Sequence, residues 1–314
     1  MQRDNFIMLK LEPVSKDMWD EVARACPWAT YFHTAAWAGC MAETFPGFTA
    51  EALGCALDDG TPVVLPCVVK KKKHLMRQVN DYKSMEPGVY GGFMASRLLA
   101  QEETERLAAA VLRMKGASGR IVETPWQPLN LKGSFISKKL STHIVELSPD
   151  FETLQRRFSR GQKSNLSQAR RKQVNVRRAV TEADINAYFR MYMETVKRWG
   201  ETAGAVYSKE LFKKFFKMQD RHIIFTLAEA EGGIVAGIIA LAWGRTIIYW
   251  HGAALQEFFK HYPNNLLHAE LMAWGCANGF QLYDMGPSAG LEGVARFKES
   301  FGAQARDFKS YRWK

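Results

Sequence analysis

Candidate catalytic side chains lie near the C-terminal end of the sequence. Asp284 ends an apolar, strand-like segment, and Gly286, Pro287 and Ser288 follow it. A carboxylate and a hydroxyl in a turn after a strand are typical of the ligand-binding edge of an α/β sheet. We therefore predict a polar site here, with Asp284 as a base or orienting group and Ser288 as a substrate contact. The simpler alternative is an ordinary strand-to-helix turn that Asp284 caps.

Two cations follow in a segment with helical periodicity. Val294, Phe297 and Phe301 recur at the spacing of one helix face, so we expect all three in the core. Arg296 and Lys298 then point away from that face, where a cation could meet an anion or the negative charge that develops on a carbonyl oxygen. Both join the candidate site.

A strongly basic segment lies in the middle of the chain. From Thr153 to Thr181 there are nine Lys or Arg residues and no Asp or Glu, within a chain of net charge +11. Like charges so concentrated repel one another unless an anion lies nearby. The pattern favours a phosphate-bearing ligand or a nucleic acid such as tRNA; the alternative is a solvated helix face.

Several kinds of chemistry have no signature in the sequence. No GxSxG, P-loop, HExxH or GxGxxG motif occurs, and His261 and His268 are not joined by a third residue at metal-ligand spacing. We expect direct group transfer assisted by positioning and charge, with no metal and no tightly bound cofactor.

The start of the sequence lacks a signal peptide, and the apolar run 234–243 is too short to cross a bilayer. Both observations predict a cytoplasmic protein, with peripheral membrane contact left open.

The elements that position these residues alternate between strands and helices, which predicts an α/β (α+β) fold. Ser15, Ser148 and Thr181 are expected to begin helices. Further segments are predicted as hairpins at 51–69 and 223–243, a strand at 246–251, helices at 96–115 and 264–278, and a strand at 280–285.

The two halves of the chain share one order of elements. Each has a hairpin, an aromatic-glycine segment (Tyr90-Gly91-Gly92; Trp250-His251-Gly252), a long helix and a strand. This order favours a duplicated domain, with coincidence as the alternative. We predict domains at 1–147 and 181–314, joined by a basic helical connector at 148–180.

Seven segments in order resemble the FemABX and BioF2-like branch of the GNAT acyltransferase superfamily. They are residues 29–37, 84–92, 163–176, 249–253, 262–267, 283–286 and 297–302. The resemblance implies two tandem GNAT-like domains, each a mixed sheet flanked by helices. It also implies direct N-acyl or aminoacyl transfer, from acyl-CoA or aminoacyl-tRNA, to an amine on a cell-envelope, peptidoglycan or polysaccharide precursor.

The resemblance also assigns roles to single residues. Lys298 matches the lysine that stabilises the tetrahedral intermediate, while Lys163, Tyr249 and His251 match positions on the acceptor side. Asn165 belongs to the same matched segment as Lys163, which we expect to hold an acceptor phosphate.

This sequence departs from the family pattern in several places. Lys163 stands where many family members have arginine, and no lysine follows Trp37 at the spacing of the muropeptide-binding members. Asn264-Asn265 stand in place of the GNAT pyrophosphate loop. These asparagines are natural helix caps, and we include them as substrate contacts. Two other functions stay open: a nucleic-acid-binding module centred on 156–178, and a catalytically degenerate scaffold.

Overall fold

The computed structural model describes residues 8–74, 77–85, 89–199 and 206–314. Glu86, Pro87 and Gly88, which belong to one of the matched segments, lie outside the described residues. The chain divides into two compact units, the first made of Met1–Leu140 with Asp307–Lys314 and the second of Ser141–Arg306. Residues 148–180, expected as a connector between domains, are part of the second unit.

The first unit is built on a mixed sheet. Its strands are β1 (Glu12–Pro13), β2 (Phe48–Ala56), β3 (Pro62–His74), β4 (Arg77–Ser84), β5 (Ala117–Val122) and, from the end of the chain, β12 (Gln304–Trp313), in the order β1-β2-β3-β4-β5-β12. Its helices are α1 (Lys16–Ala25), α2 (Ala35–Thr44) and α3 (Gln101–Leu112). Strands β4 and β5 pair in parallel, and α3 connects them in the chain. Strand β12 pairs antiparallel with β5.

The second unit repeats this plan. Its strands are β6 (Ile136–Glu146, of which residues 141–146 belong to this unit), β7 (Asn175–Arg178), β8 (Ile223–Ala230), β9 (Gly233–Trp243), β10 (Thr246–Ala254) and β11 (Leu282–Asp284), in the order β6-β11-β10-β9-β8-β7. Its helices are α4 (Phe151–Arg156), α5 (Arg160–Arg171), α6 (Glu182–Trp199), α7 (Lys209–Lys217), α8 (Pro263–Ala277) and α9 (Glu292–Glu299). Strands β10 and β11 are the parallel pair, joined in the chain through α8, and residues 144–146 of β6 pair antiparallel with β11.

The predicted mixed α/β fold with two GNAT-like domains is confirmed. Both hairpins form, as β2–β3 and β8–β9, and each unit continues through a parallel strand pair around one helix. Ser15 caps α1 and the Thr181–Asp184 capping box precedes α6, since each of these two residues accepts the other's backbone N–H.

Three sequence expectations are wrong in detail. Helix α3 begins at Gln101 rather than near Ser96, and Asp150 rather than Ser148 caps α4. The hydroxyl of Ser148 instead accepts a hydrogen bond from Arg157. Val294 lies 37% exposed instead of in the core, because it occupies the exposed first half of α9, whereas Phe297 near the end of the helix packs against Phe301 beyond it.

Some charges of the basic segment are met by groups from elsewhere in the second unit. Arg177 donates to the carboxylates of Asp184 and Glu229, and Arg170 lies 3.8 Å from Glu270. Lys172 donates to the carbonyl oxygen of residue 260. Packing within the unit thus supplies partners for these three residues, and the phosphate-bearing or nucleic-acid ligand of the segment stays a prediction.

Replacing Asp184 with alanine should lower the free energy of unfolding by about 3 kcal/mol, because this buried carboxylate accepts both from Arg177 and from two backbone N–H groups. Urea denaturation followed by circular dichroism measures the change. Glu182→Ala removes an exposed carboxylate from the same helical turn and should cost less than about 1 kcal/mol. Equal losses for the two variants would contradict the role of Asp184.

Candidate functional site

Lys298 is a buried cation held by the loop that follows β11. The side chain lies on α9 with only 4% of the residue exposed, and Nζ donates hydrogen bonds to the carbonyl oxygens of Gly286 (2.7 Å) and Pro287 (2.8 Å). Burial lowers the pKa of the ammonium to about 8, which the nearby Asp284 carboxylate partly opposes. Because an ammonium has three N–H donors, these two bonds leave one for a substrate oxygen.

Asp284 fixes the same loop from the other side. Its carboxylate is 1% exposed and accepts from the Thr142 hydroxyl (2.5 Å) and from the backbone N–H of Gly286 (2.8 Å). Gly286 adopts φ +72°, a backbone conformation that favours glycine. Thus the carboxylate sets the direction of the loop whose carbonyl oxygens hold Lys298.

His143 belongs to this group, and sequence reasoning missed it. Its Nδ1 lies 3.2 Å from the Ser288 hydroxyl, and the residue is 5% exposed. Burial, followed by the charge of Lys298, lowers the pKa of the imidazole, so the ring is neutral at pH 7 and can accept a proton. Residue 143 is far from 284–298 in sequence and lies in no chemical motif; only the pairing of β6 with β11 brings it to the site.

The site stands where two parallel strands separate. Strands β10 and β11 pair from Thr246 with Leu282 to Ile248 with Asp284, after which β11 ends and β10 continues to Ala254. A register shift between Tyr249 and His251 interrupts the pairing of β10 with β9 at the same level. Asp284 therefore lies where the β10–β11 pairing stops, at an edge suited to a bound ligand.

Tyr249 and His268 pack behind Lys298. Their rings are 4.8 Å apart, and His268 also contacts Phe297 on α9 and bonds to the Tyr283 hydroxyl at 2.8 Å. Burial, with a smaller contribution from the Lys298 charge, lowers the pKa of His268 to about 3. Burial raises the pKa of Tyr249 to about 12. Both rings are consequently neutral, and they form a rigid wall rather than proton carriers.

His251 lies in a different environment from Lys298. Its Nδ1 is 2.6 Å from the Tyr188 hydroxyl, and its ring packs against Tyr192 and Phe212. Burial lowers its pKa to about 3. The structure thus places His251 in an aromatic core, and its expected place on the acceptor side stays a prediction.

Helix α8 begins without a side-chain cap. Tyr262 precedes it at φ +58°, and Pro263 occupies the first turn. Asn264 is half-buried, whereas the Asn265 amide is buried and donates to the Gln162 side chain at 2.7 Å. Among the described residues, the Gln162 amide nitrogen has no hydrogen-bond partner, although the residue is 2% exposed. The asparagines therefore do not cap the helix, and the first-turn N–H groups of α8 receive no side-chain cap.

The remaining candidates do not join the Lys298 group. Lys163 Nζ donates to the carbonyl oxygen of Arg156 at 2.8 Å, at the end of α4. Asn165 is half-buried on α5. Arg296 is exposed and pairs with Glu292 one turn earlier. Among the predicted residues, then, the structure brings together Lys298, Asp284 and Ser288, with Tyr249 behind them.

Within the described ranges, no cluster of three or more His, Cys, Asp or Glu side chains has the geometry of a metal site. In the same part of the chain, no helix combines the length and apolar character needed to cross a membrane.

One family model matches most of the second unit. Residues 155–299 match the family model of the acetyltransferase (GNAT) domain. A search of curated proteins found no match.

Solved structures share the fold over nearly the whole chain. The crystal structure of FemX has a TM-score of 0.70 at 14% identity, covering 96% of both chains. A tandem GNAT protein from the clavulanic acid biosynthesis pathway gives 0.53 at 9% identity, with 97% of each chain covered. A conserved protein of unknown function from Bacteroides thetaiotaomicron gives 0.59 at 10% identity, over 98% of this chain and 100% of that one. The resemblance to the FemABX branch is thereby confirmed for the fold.

The environment of Lys298 can be tested directly. Titration of the isotope-labelled lysine side chain by NMR should give a pKa near 8, and Asp284→Asn should lower it further because the carboxylate favours the ammonium. Glu292→Gln, an exposed carboxylate on the same helix, should leave it unchanged. A pKa above 10 in the wild-type protein would show that the ammonium is solvated.

Proposed function

We propose that this chain transfers an acyl or aminoacyl group from an activated ester directly to an acceptor amine, with the second unit as the catalytic unit. The observation that carries the proposal is the buried Lys298 ammonium, which is fixed by two carbonyl oxygens and retains one N–H donor. Supporting it, the surrounding residues 155–299 match a GNAT domain.

In the proposed reaction the acceptor amine attacks the carbonyl carbon of the ester or thioester. The carbonyl oxygen becomes an oxyanion, which the remaining N–H of Lys298 stabilises where bulk water is excluded. His143, neutral and 3.2 Å from Ser288, accepts the proton that the amine releases. Collapse of the intermediate expels the thiolate or alkoxide, so no covalent enzyme intermediate forms.

For the donor, we favour acyl-CoA, with aminoacyl-tRNA as the alternative. The support is the start of α8, whose first-turn N–H groups carry no side-chain cap and can bind the diphosphate of the coenzyme. The glycine-rich turn of the usual GNAT pyrophosphate loop is absent at 262–265, which argues against the usual form of coenzyme A binding. For the acceptor, an amine on a cell-envelope, peptidoglycan or polysaccharide precursor follows from the resemblance of the sequence motifs.

Lys298→Ala should lower kcat/KM at least ~10²-fold, the usual effect of removing one oxyanion donor. Arg296→Ala is the matched control, since this exposed cation lies on the same helix and contacts Glu292 instead of the loop. Unchanged turnover in folded Lys298→Ala would remove this lysine from the mechanism.

The pH dependence gives an independent check on the role of Lys298. An electrophilic ammonium acts only when protonated, so wild-type activity should fall as the pH rises through about 8. Lys298→Arg, if active, should lose this alkaline decline because a guanidinium stays charged. Activity that instead increases through pH 8 would indicate that Lys298 acts as a base.

The donor can be identified by mass spectrometry of amine-bearing envelope precursors incubated with the protein and either an acyl-CoA mixture or charged tRNA. We expect a mass increase of one acyl group in the acyl-CoA reaction, absent with Lys298→Ala. Modification only in the tRNA reaction would overturn the preferred donor while leaving acyl transfer intact.

A further inference from the structure

His251 is a buried titratable side chain that the proposed proton transfer and oxyanion stabilisation do not use. It lies on β10, beyond the point where the pairing with β11 ends. The residue is 9% exposed, and burial alone lowers the pKa of its imidazole to about 3. The ring is therefore neutral at pH 7, and no neighbouring charge contributes to this state.

An irregularity in β10 sets the face of the sheet from which His251 projects. The pairing with β9 shifts register between Tyr249 and His251, so Trp250 is an extra residue in the strand. Side chains of a regular strand alternate between faces, which would put His251 on the same face as Tyr249. Instead Tyr249 contacts His268 on α8, whereas His251 contacts rings of α6 and α7. The bulge thus directs the two side chains to opposite faces.

Tyr188 on α6 fixes the orientation of the imidazole. Its hydroxyl lies 2.6 Å from His251 Nδ1, and the tyrosine is fully buried. A side chain at Gly237 would approach the tyrosine ring to 2.8 Å, so this glycine lets the ring lie directly on β9. The next residue, Ile238, belongs to the core on the other face, which contains α8. Tyr188 is therefore held by close packing on the α6 face of the sheet.

The hydrogen bond with Tyr188 also determines which nitrogen of His251 carries the proton. Within the described ranges, Nδ1 is the one hydrogen-bond partner of the tyrosine hydroxyl. If Nδ1 donated this bond, the buried O–H would have no acceptor, which is costly. The hydroxyl therefore donates to Nδ1, and the neutral ring carries its proton on Nε2. Across the described residues Nε2 has no hydrogen-bond partner, and it is not one of the fully enclosed unpaired nitrogens.

Aromatic rings surround His251 on this face. The ring centroids of Tyr192, Phe212, Trp250 and Tyr207 lie 4.8, 5.0, 5.5 and 5.8 Å from the imidazole centroid. Apolar walls with one well-placed polar group are typical of sites that orient a small molecule. A phosphate or carboxylate would favour a cation at this position, whereas the imidazole is neutral. The environment therefore suits an uncharged oxygen flanked by apolar atoms.

We propose that Nε2 of His251 donates a hydrogen bond to an uncharged carbonyl oxygen of the acceptor, so that the acceptor amine belongs to a molecule with an amide group. This inference rests on the proposed acyl transfer. The preferred donor site at the start of α8 and the contact between Tyr249 and His268 belong to the opposite face, which leaves the α6 face for the acceptor. His251 is then a specificity-determining residue, and Tyr188 is the residue that positions it.

The tautomer can be tested by proton–nitrogen NMR of the full chain with isotope-labelled histidines, in which His251→Gln identifies the signals of His251 by their loss. We expect the proton on Nε2 at pH 7. Tyr188→Phe keeps the packed ring but removes the hydroxyl, and should produce a mixture of both tautomers. Tyr192→Phe is the matched control and should leave the tautomer unchanged, because the Tyr192 hydroxyl accepts from the backbone N–H of Tyr207. A wild-type proton on Nδ1 would overturn the proposal.

Binding can be tested in the same spectra with N-acetylalaninamide, an uncharged diamide. The diamide should shift the Nε2 signal of His251, whereas butylamine, which has no carbonyl group, should not. No shift with the diamide would contradict the proposal, and a shift with acetyl-CoA instead would assign the contact to the donor. Lys298→Ala should bind the diamide equally well, so this result does not depend on turnover.

Kinetics of the acceptor found by mass spectrometry separate this role from a structural one. His251→Leu should raise the KM for that acceptor about fivefold with little change in kcat or in the KM for the donor, the usual effect of losing one neutral hydrogen bond. His251→Gln, which retains an N–H donor, should restore much of the loss. Equal KM values in the two variants would show that the N–H is not used. Absence of any transfer by the wild-type protein would refute the proposed function, while the NMR results still decide whether His251 binds a carbonyl group.

Discussion

The candidate active site depends on keeping one ammonium charged in a nearly water-free position. Removing a charge from water is costly unless hydrogen bonds replace its hydration. Two consecutive carbonyl oxygens, of Gly286 and Pro287, do this for Lys298. A proline is well suited to the second position, because it has no N–H that could repel the ammonium. Asp284 then holds the loop through the Gly286 N–H, so carboxylate, loop and lysine form one interdependent arrangement.

The same arrangement explains why β11 is short. A strand that continued beyond Asp284 would use the consecutive carbonyl groups of Gly286 and Pro287 for pairing, one with β10 and the other with β6, and Lys298 would lose its acceptors. Instead the pairing ends at Ile248 and Asp284, and β10 continues without β11. The separation of these strands and the burial of the lysine are thus two consequences of how one loop uses its carbonyl groups.

Local signals made much of the fold predictable, while distant pairing made the rest unpredictable. The turn within the 51–69 hairpin and the helix start at Thr181 each depend on a few neighbouring residues, and both formed as expected. His143 could not be found in this way, since it reaches Ser288 through a strand pair separated by more than a hundred residues. Lys298 was a candidate from its place off the apolar helix face and from the resemblance, but its burial followed from loop geometry that no periodicity encodes.

Counting charges along the chain does not show which of them find partners in the fold. The basic segment has no acid within 153–181, yet strand and helix packing brings Asp184 and Glu229 to Arg177. Lys83, Arg120 and Arg312 are far apart in sequence, and no local count would group them. Strand register nonetheless sets them side by side. Repulsion depends on distance and solvation rather than on sequence spacing, so the density of cations along the sequence does not by itself locate an anion site.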